Sequence, residues 1–466
     1  MTATNNTTHT GSIDLSWLEQ YRHITVIGLG VSGMGVVKRL ARQGIQFHVQ
    51  DSRVNPQGLE QMSELKNVQS VYTGNFNLDS ILASDLLILS PGVSLKTPEI
   101  EQAIAAGIQI SSDVDIVTRS SGIPIIGVTG SNGKSTVTQL AGELCSAAGY
   151  KTFIGGNIGR SVMELLDDSL DYQLAILELS SFQLEITPEL NALSATVLNL
   201  SPDHLDRYDS YQEYATSKLA VYQNSKYCVW NRDDEWLQTI ELFSAKSVNS
   251  KKIMSFGLQA PRDKTEYGIL AENEINYFAK GQQKICSTQC CQLIGNHNQL
   301  NVLAALALLD SFAIELKIIE SVLRQFQGLK HRMQKVRELN GVRWINDSKA
   351  TNIGAAQSAL EGLQCSTVLI AGGQGKGAEF AELLPLLERY VTRVYVFGED
   401  AELMQELWQQ TVEVVMVESL EIAVQKANQF AVSGDTVLFA PACASFDMFS
   451  DFAARGDHFM QLVGAL

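Results

Sequence analysis

Short apolar runs rich in Val, Ile and Leu alternate with longer helical patterns along most of this 466-residue chain. Strands are expected at 24–28, 86–89, 123–128, 174–177, 195–198, 342–345, 368–371, 394–397 and 436–439. Helical patterns fill many intervals, among them 136–148, 299–309 and 379–388. Such alternation predicts an α/β protein with parallel sheets built from βαβ units. A chain this long exceeds one ordinary core, and about 150 residues per domain gives about three domains. The expected divisions are 1–112, 113–328 and 329–466, with 1–20 a flexible extension. The stretch 225–290 is more polar and irregular and fits an antiparallel edge.

Polar clusters repeatedly follow a strand candidate: 130–136, 178–183, 199–206, 346–352, 372–377 and 440–447. Ligands of open parallel sheets bind at the carboxyl ends of strands. Six clusters from two sections imply one cleft between two domains.

Composition narrows the ligand class. The formal charge of −16 argues against nucleic acid as the main partner, since phosphate backbones require a basic surface. Anionic small molecules remain compatible, because a few cations inside a cleft outweigh a distant acidic surface. Seven cysteines in so long a chain fit reduced thiols. Cys286, Cys290 and Cys291 cluster, but without a partner pair at zinc-finger spacing. Residues 1–12 are polar, without the basic and apolar regions of a signal peptide. With no uncharged apolar run of about 18 residues, a cytoplasmic location without membrane insertion is expected.

The strongest motif is Gly130-Ser131-Asn132-Gly133-Lys134-Ser135-Thr136, between a strand and a helical pattern. Its glycines allow backbone N–H groups to close around phosphate, and the helix amino terminus adds positive partial charge. Lys134 would reach terminal phosphates, and Ser135 or Thr136 would offer a hydroxyl to Mg²⁺. The first glycine of the common pattern is replaced by Val128, so the loop is a variant. A glycine turn with an incidental lysine is the plainer alternative. Gly28-Leu29-Gly30-Val31-Ser32-Gly33, with Asp51 after the next strand, resembles a dinucleotide fingerprint but also fits another nucleotide diphosphate.

Glu178 ends a strand and suits a Mg²⁺ held partly by ATP, against the alternative of a solvated acid. His204 is crowded by Asp203 and Asp206, which favours a metal or substrate role. Asp347 and Lys349 could meet a nucleotide or anion, Thr351 offers a hydroxyl, and Lys376 stands in a glycine turn suited to a carboxylate. Cys443 has no base paired with it in sequence and reads as a small packed thiol.

Taken together these motifs resemble the Mur ligase family, over nearly the whole chain after about residue 20. The phosphate loop, 178–185 (ELSSFQLE), 201–207 (SPDHLDR) and 295–298 (GNHN) are shared broadly by that family. The motifs 346–352 (NDSKATN), 372–377 (GGQGKG) and 441–447 (PACASFD) resemble its D-glutamate-adding branch. The resemblance implies a Rossmann-like N-terminal domain, a central P-loop ATPase-like parallel-sheet domain and a C-terminal Rossmann-like domain. It implies an ADP-forming ligase joining D-glutamate to UDP-N-acetylmuramoyl-L-alanine through an acyl phosphate, for peptidoglycan synthesis, and acting as a monomer.

Residue by residue, it implies that Gly130 to Thr136, Asn298, Asn301, Arg332 and Asp347 hold ATP. Ser135 or Thr136 with Glu178 would hold one Mg²⁺. His204 would hold a second with a carbamylated Lys218, a residue that without the resemblance reads as an ordinary exposed helix lysine. Gly28, Gly30, Asp51, Ser52 and Arg53 would hold the uridine diphosphate, and Ser90, Gly92, Asn157 and Gln183 would line the muramoyl path. Lys349, Thr351, Lys376, Ser445 and Phe452 would hold D-glutamate. Gln374 stands where some relatives carry an acid, and the interval from His204 to Lys218 is slightly short.

Three rival functions are weighed against this. A nicotinamide-dependent oxidoreductase leaves the loop at 130–136 unexplained. An ATP-driven binding or motor protein leaves the motifs after 329 idle. A ligase for another amino acid differs only in the third section.

Overall fold

The computed structural model describes residues 13–167, 169–202, 207–240, 247–248, 251–293 and 295–466. Three sheets follow one another along the chain. The first contains β1 (Ile24–Ile27), β2 (Phe47–Asp51), β3 (Val68–Thr73), β4 (Leu86–Leu89) and β5 (Gln109–Ser111). Its order is β3-β2-β1-β4-β5 and every pairing is parallel. The order reverses between β1 and β4, which opens a crevice at their carboxyl ends.

The second sheet contains β6 (Ile125–Thr129), β7 (Thr152–Gly156), β8 (Leu174–Glu178), β9 (Ser194–Val197), β10 (Tyr227–Asn231), β11 (Ser247–Val248), β12 (Lys251–Phe256), β13 (Glu266–Glu272), β14 (Ile275–Lys280) and β15 (Gln283–Ser287). The order is β15-β14-β13-β12-β10-β9-β6-β8-β7, with β11 on β12. Along that order pairing is parallel from β7 to β13 and antiparallel through β14 and β15, and β11 also pairs antiparallel; the expected antiparallel edge at 225–290 is thus met only in part, since β10 and β12 pair parallel. β6 and β8 are buried throughout, as expected of parallel strands covered on both faces.

The third sheet contains β16 (Gln334–Leu339), β17 (Val342–Asn346), β18 (Thr367–Gly372), β19 (Val391–Phe397), β20 (Val414–Met416) and β21 (Thr436–Phe439), in the order β16-β17-β21-β18-β19-β20. Only β16 runs antiparallel. The nine expected strands all form. The expected helix at 379–388 is corrected: Phe380–Leu383 is a 3₁₀ turn and the α-helix begins at Leu384. Pro385 explains the break, since it lacks an N–H and is tolerated in a first helical turn.

Packing joins the sheets unequally. One apolar cluster runs continuously from Val26, Leu29 and Val36 of the first section to Leu177, Leu184 and Val197 of the second. A second cluster seats the helices Lys134–Ala147 and Asn296–Leu308 on the other face of the central sheet. The clusters covering the third sheet draw only on residues 333–466. The first two sections therefore share a core, while the third has apolar clusters of its own. Among the described residues no helix is long and apolar enough to cross a membrane.

Phe459 is fully buried, its ring stacked on Phe439 at 4.7 Å and tilted against Trp344 at 6.3 Å. Phe459→Ala should lower the stability of the C-terminal section by about 3–5 kcal/mol, read by urea titration. A loss under about 1 kcal/mol would contradict this packing.

Candidate active site

Five of the six polar clusters end in one cleft of about 1870 Å³, and the sixth enters it through Asn199, Ser201 and Pro202. On the central side stand Ser131 to Thr136, Asn157, Glu178 and Lys218. Facing them stand Asp347, Lys349, Thr351, Lys376, Ser445 and Phe452. The cleft therefore lies where the carboxyl ends of two parallel sheets meet.

The loop after β6 is shaped by its glycines. Gly130 and Gly133 have φ of 145° and 83°, which side-chain-bearing residues rarely adopt. A Cβ on Gly133 would also sit 2.4 Å from Asn301 Oδ1. One expectation is corrected here. The Ser131 and Asn132 amides do not face an open cradle; they donate to the carbonyl and the Oδ1 of Asn199, at 2.9 and 2.8 Å. Ser131 Oγ is likewise engaged, by Ser201 and by the Tyr214 hydroxyl at 2.9 Å. These two residues brace the loop. The helix starting at Lys134 follows directly, and the N–H groups of its first turn have no intrahelical acceptor.

Two lysines converge on this loop. Lys134 Nζ donates to the Gly130 and Ser131 carbonyls, each at 2.8 Å. Lys218 Nζ donates to the same Gly130 carbonyl at 3.1 Å and lies 4.7 Å from the Tyr214 ring centroid. Lys218 is only 2% exposed, so the reading of an exposed helix lysine is corrected. The helix Tyr211–Leu219 is amphipathic only weakly, which hid the inward-facing position from the sequence pattern.

A chain of short hydrogen bonds crosses the cleft. Asn157 Nδ2 donates to Glu178 Oε1 at 2.9 Å. Ser135 Oγ donates to Glu178 Oε2 at 2.6 Å, and Arg332 Nη2 donates to Ser135 Oγ at 2.6 Å. Glu178 is buried, which removes the solvated-acid alternative. Burial lowers the Arg332 pKa, and the Glu178 and Asp347 carboxylates oppose that shift. Burial raises the Asp347 pKa to about 7; the Met333 N–H, 3.2 Å from Oδ1, and the Arg332 charge act the other way. Asn301 Nδ2 donates to Asn298 Oδ1 at 3.1 Å beside Gly133. Thr136 is buried as well, and of the two hydroxyls it is that of Ser135 that bonds the acid.

The third-section loops are organised by a residue the sequence did not point to. Arg455 is 1% exposed, and its guanidinium bonds Ser348 Oγ (3.1 Å), the Ser348 and Cys443 carbonyls (2.9 and 3.0 Å) and the Ala444 carbonyl (3.2 Å). It thereby ties the loops carrying Lys349 and Ser445 together, and Gln374, two residues before Lys376, pairs its backbone with Ala444. Burial lowers its pKa to about 10. Lys349 Nζ lies 4.3 Å from the Phe452 ring centroid, and Lys376 Nζ lies 5.3 Å from that of Phe446. His331, also missed, is buried and bonds Asn346 beside Arg332. A lone Arg or His in a helix or turn pattern gives no sequence signal; only the convergence of loops does. Cys443 is fully buried and burial raises its thiol pKa, in keeping with a packed thiol.

Some expected residues lie elsewhere. Gly28, Gly30, Asp51, Ser52, Arg53, Ser90 and Gly92 gather at the carboxyl end of the first sheet. Ser90 Oγ donates to the Gly28 carbonyl at 2.8 Å. Asp51 accepts from the Leu29 N–H at 2.7 Å and from Arg53 Nη2 at 2.6 Å, so it shapes the glycine turn itself. Gln183 closes a capping box with Ser180 at the start of the helix Ser181–Glu185. His204 lies outside the described residues. Cys286 and Cys290 Sγ atoms are 3.5 Å apart, but no group of three or more His, Cys, Asp or Glu suited to a metal occurs among the described residues.

A three-section α/β chain with a phosphate loop facing a lysine-bearing third section is the architecture of an ATP-dependent amide ligase. The chain belongs to the Mur ligase family. Residues 22–112 match the Mur ligase MurD-like N-terminal domain, 128–309 the Mur ligase middle domain and 331–443 the Mur ligase glutamate ligase domain. The UDP-N-acetylmuramoylalanine--D-glutamate ligase of Hahella chejuensis is 42% identical over 97% of this chain and 100% of its own length. The enzyme of the same name from Haemophilus influenzae is 40% identical over 96% and 99%. Among solved structures, a pseudomurein peptide ligase type C from Methanothermus fervidus shares the fold, with a TM-score of 0.60 at 16% identity over 95% of this chain and 99% of its own. MurF ligase from Thermotoga maritima, solved with ADP, gives 0.58 at 16% identity over 94% and 93%.

Asp347 supplies a stability test. The unfolded carboxyl releases its proton near 3.8 and the folded one near 7, so the folded state binds the proton more tightly and stability falls as pH rises between those values. Asp347→Asn should flatten that fall, which amounts to on the order of 4 kcal/mol. Parallel urea curves for both proteins from pH 4 to 8 would contradict the buried, raised carboxyl.

Proposed function

We propose that this chain joins D-glutamate to UDP-N-acetylmuramoyl-L-alanine, consuming ATP and releasing ADP and phosphate in peptidoglycan precursor synthesis. The observation that supports this most is the opposition of a phosphate loop and two lysines, Lys349 and Lys376, across one cleft. The near-full-length likeness to ligases of that name supports the choice of substrates.

In this reading the acceptor carboxylate attacks the γ-phosphorus of ATP, and ADP departs. The D-glutamate amine then attacks the acyl carbon, and phosphate departs with the former carboxylate oxygen. Lys134 and the first-turn amides of its helix offset charge on the transferred group. Lys349 and Lys376 match the two carboxylates of the amino acid, with Thr351, Ser445 and Phe452 around them. Asn298, Asn301, Arg332 and Asp347 meet the nucleotide. The residues at the end of the first sheet hold the uridine diphosphate, and that remote binding positions the reacting end. Movement of the third section brings amine and acyl phosphate together.

The Ser135 hydroxyl and Glu178 carboxylate fit Mg²⁺, which prefers oxygen and takes few protein ligands. Bound there, the ion would polarise the phosphate oxygens. His204 with a carbamylated Lys218 would hold a second ion. The Lys218 ammonium would first give up a proton, and its free amine would then add to CO₂ and lose a second one, leaving an anionic carbamate. Two cations now share the Gly130 carbonyl. The carbamate replaces that like-charge pair by an opposite-charge one beside Lys134.

Release of ADP is the direct assay. It should require the acceptor nucleotide and D-glutamate together, and L-glutamate or L-alanine should not substitute. Equal ADP release without an amino acid would sink the ligase reading. Lys134→Ala should reduce turnover by about 10²–10³-fold or more in a folded protein. Lys218→Ala should be inactive and partly restored by short carboxylates; full activity in that variant would remove the carbamate.

A further inference from the structure

The uridine end of the acceptor and the phosphate loop lie on different sheets, and the link between them is visible in the packing. Arg207 is 14% exposed on its side chain and reaches from the central section to the first. Its Nη1 donates to the Pro91 carbonyl at 3.0 Å and its Nη2 to the Val93 carbonyl at 3.2 Å. The guanidinium carbon lies 4.0 Å from the Phe182 ring centroid, and Glu185 Oε2 is 3.7 Å from Nη2. Phe182 and Glu185 belong to the helix Ser181–Glu185, which starts three residues after Glu178.

Around this arginine an aromatic row leads to the phosphate loop. Phe182 stacks on Tyr208 at 6.1 Å, Tyr208 meets Tyr214 at 5.4 Å, and the Tyr214 hydroxyl bonds Ser131. Beyond Val93, Lys96 forms exposed pairs with Asp209 and Glu213, both at 3.0 Å; solvent screening makes these the weaker ties. Arginine is suited to the task because its planar fork can address two carbonyls while stacking on a ring, which an ammonium cannot do.

We propose that Arg207 is a positioning residue that fastens the Ser90–Val93 loop to the central section and so sets where the acceptor carboxylate is presented to the phosphate loop. This rests on the ligase reading, in which that loop borders the acceptor. Arg207 acts through the loop and does not touch the reacting atoms. Its loss should weaken use of the acceptor while sparing ATP.

The test uses full-length Arg207→Met and Arg207→Lys. Hydrogen exchange without substrates should quicken about tenfold or more at 90–97 in Arg207→Met. The acceptor KM should rise about tenfold or more with the ATP KM within about twofold, and Arg207→Lys should fall between. If Arg207→Met does not fold, Arg207→Lys carries both readouts against the wild type. Unchanged exchange at 90–97, an unchanged acceptor KM, or an equal loss for all three substrates overturns the proposal. If the wild type forms no amide, the ligase reading fails, and exchange alone decides whether Arg207 fastens the loop.

Discussion

The hydrogen-bonded chain Asn157–Glu178–Ser135–Arg332 is the constraint on which the cleft depends. It starts after β7, passes through the end of β8 and the first turn of the phosphate-loop helix, and finishes just beyond the last helix of the central section. A buried carboxylate is tolerated only with partners, and here two neutral donors and a nearby guanidinium supply them. The same three links place an acid, a hydroxyl and a cation at the first turn of the helix that follows the glycine loop. Arg332 directly precedes the third sheet, so the link ties the central sheet to the start of the third section.

The packing fits a division of labour. The first and second sections share one apolar cluster, which resists relative movement because close-packed interiors deform little. The third touches the second through Arg332 and the helix Ile353–Leu363, whose Gly362 lies against Gly295 and the His297 ring. In the proposed reading the acceptor and nucleotide sites sit on the two sections that share a core, and the amino-acid loops on the third. Arg455 keeps those loops together as a unit.

Much of this was legible in the sequence, for identifiable reasons. Parallel strands buried on both faces leave continuous apolar runs, so β6, β8, β17, β18 and β21 were all visible. Chemistry at strand ends then followed from the polar clusters after them. What stayed hidden depends on long-range contact. Lys218 lies on a short helix with little amphipathic contrast, so its burial gave no local pattern. Arg455 looks like any helix arginine until three loops converge on it. The Ser131 and Asn132 amides looked free because Asn199, their acceptor, stands 67 residues away from Asn132. The capping role of Gln183 gave no sequence signal because it depends on the exact start of a five-residue helix.

The central claim is that the acceptor carboxylate is activated as an acyl phosphate, a mixed anhydride, before the amine arrives. Labelling both oxygens of that carboxylate with ¹⁸O and recording the mass of the phosphate released tests it directly. The account predicts one labelled oxygen in each phosphate formed alongside amide. Phosphate carrying no label, with amide still produced, would contradict it.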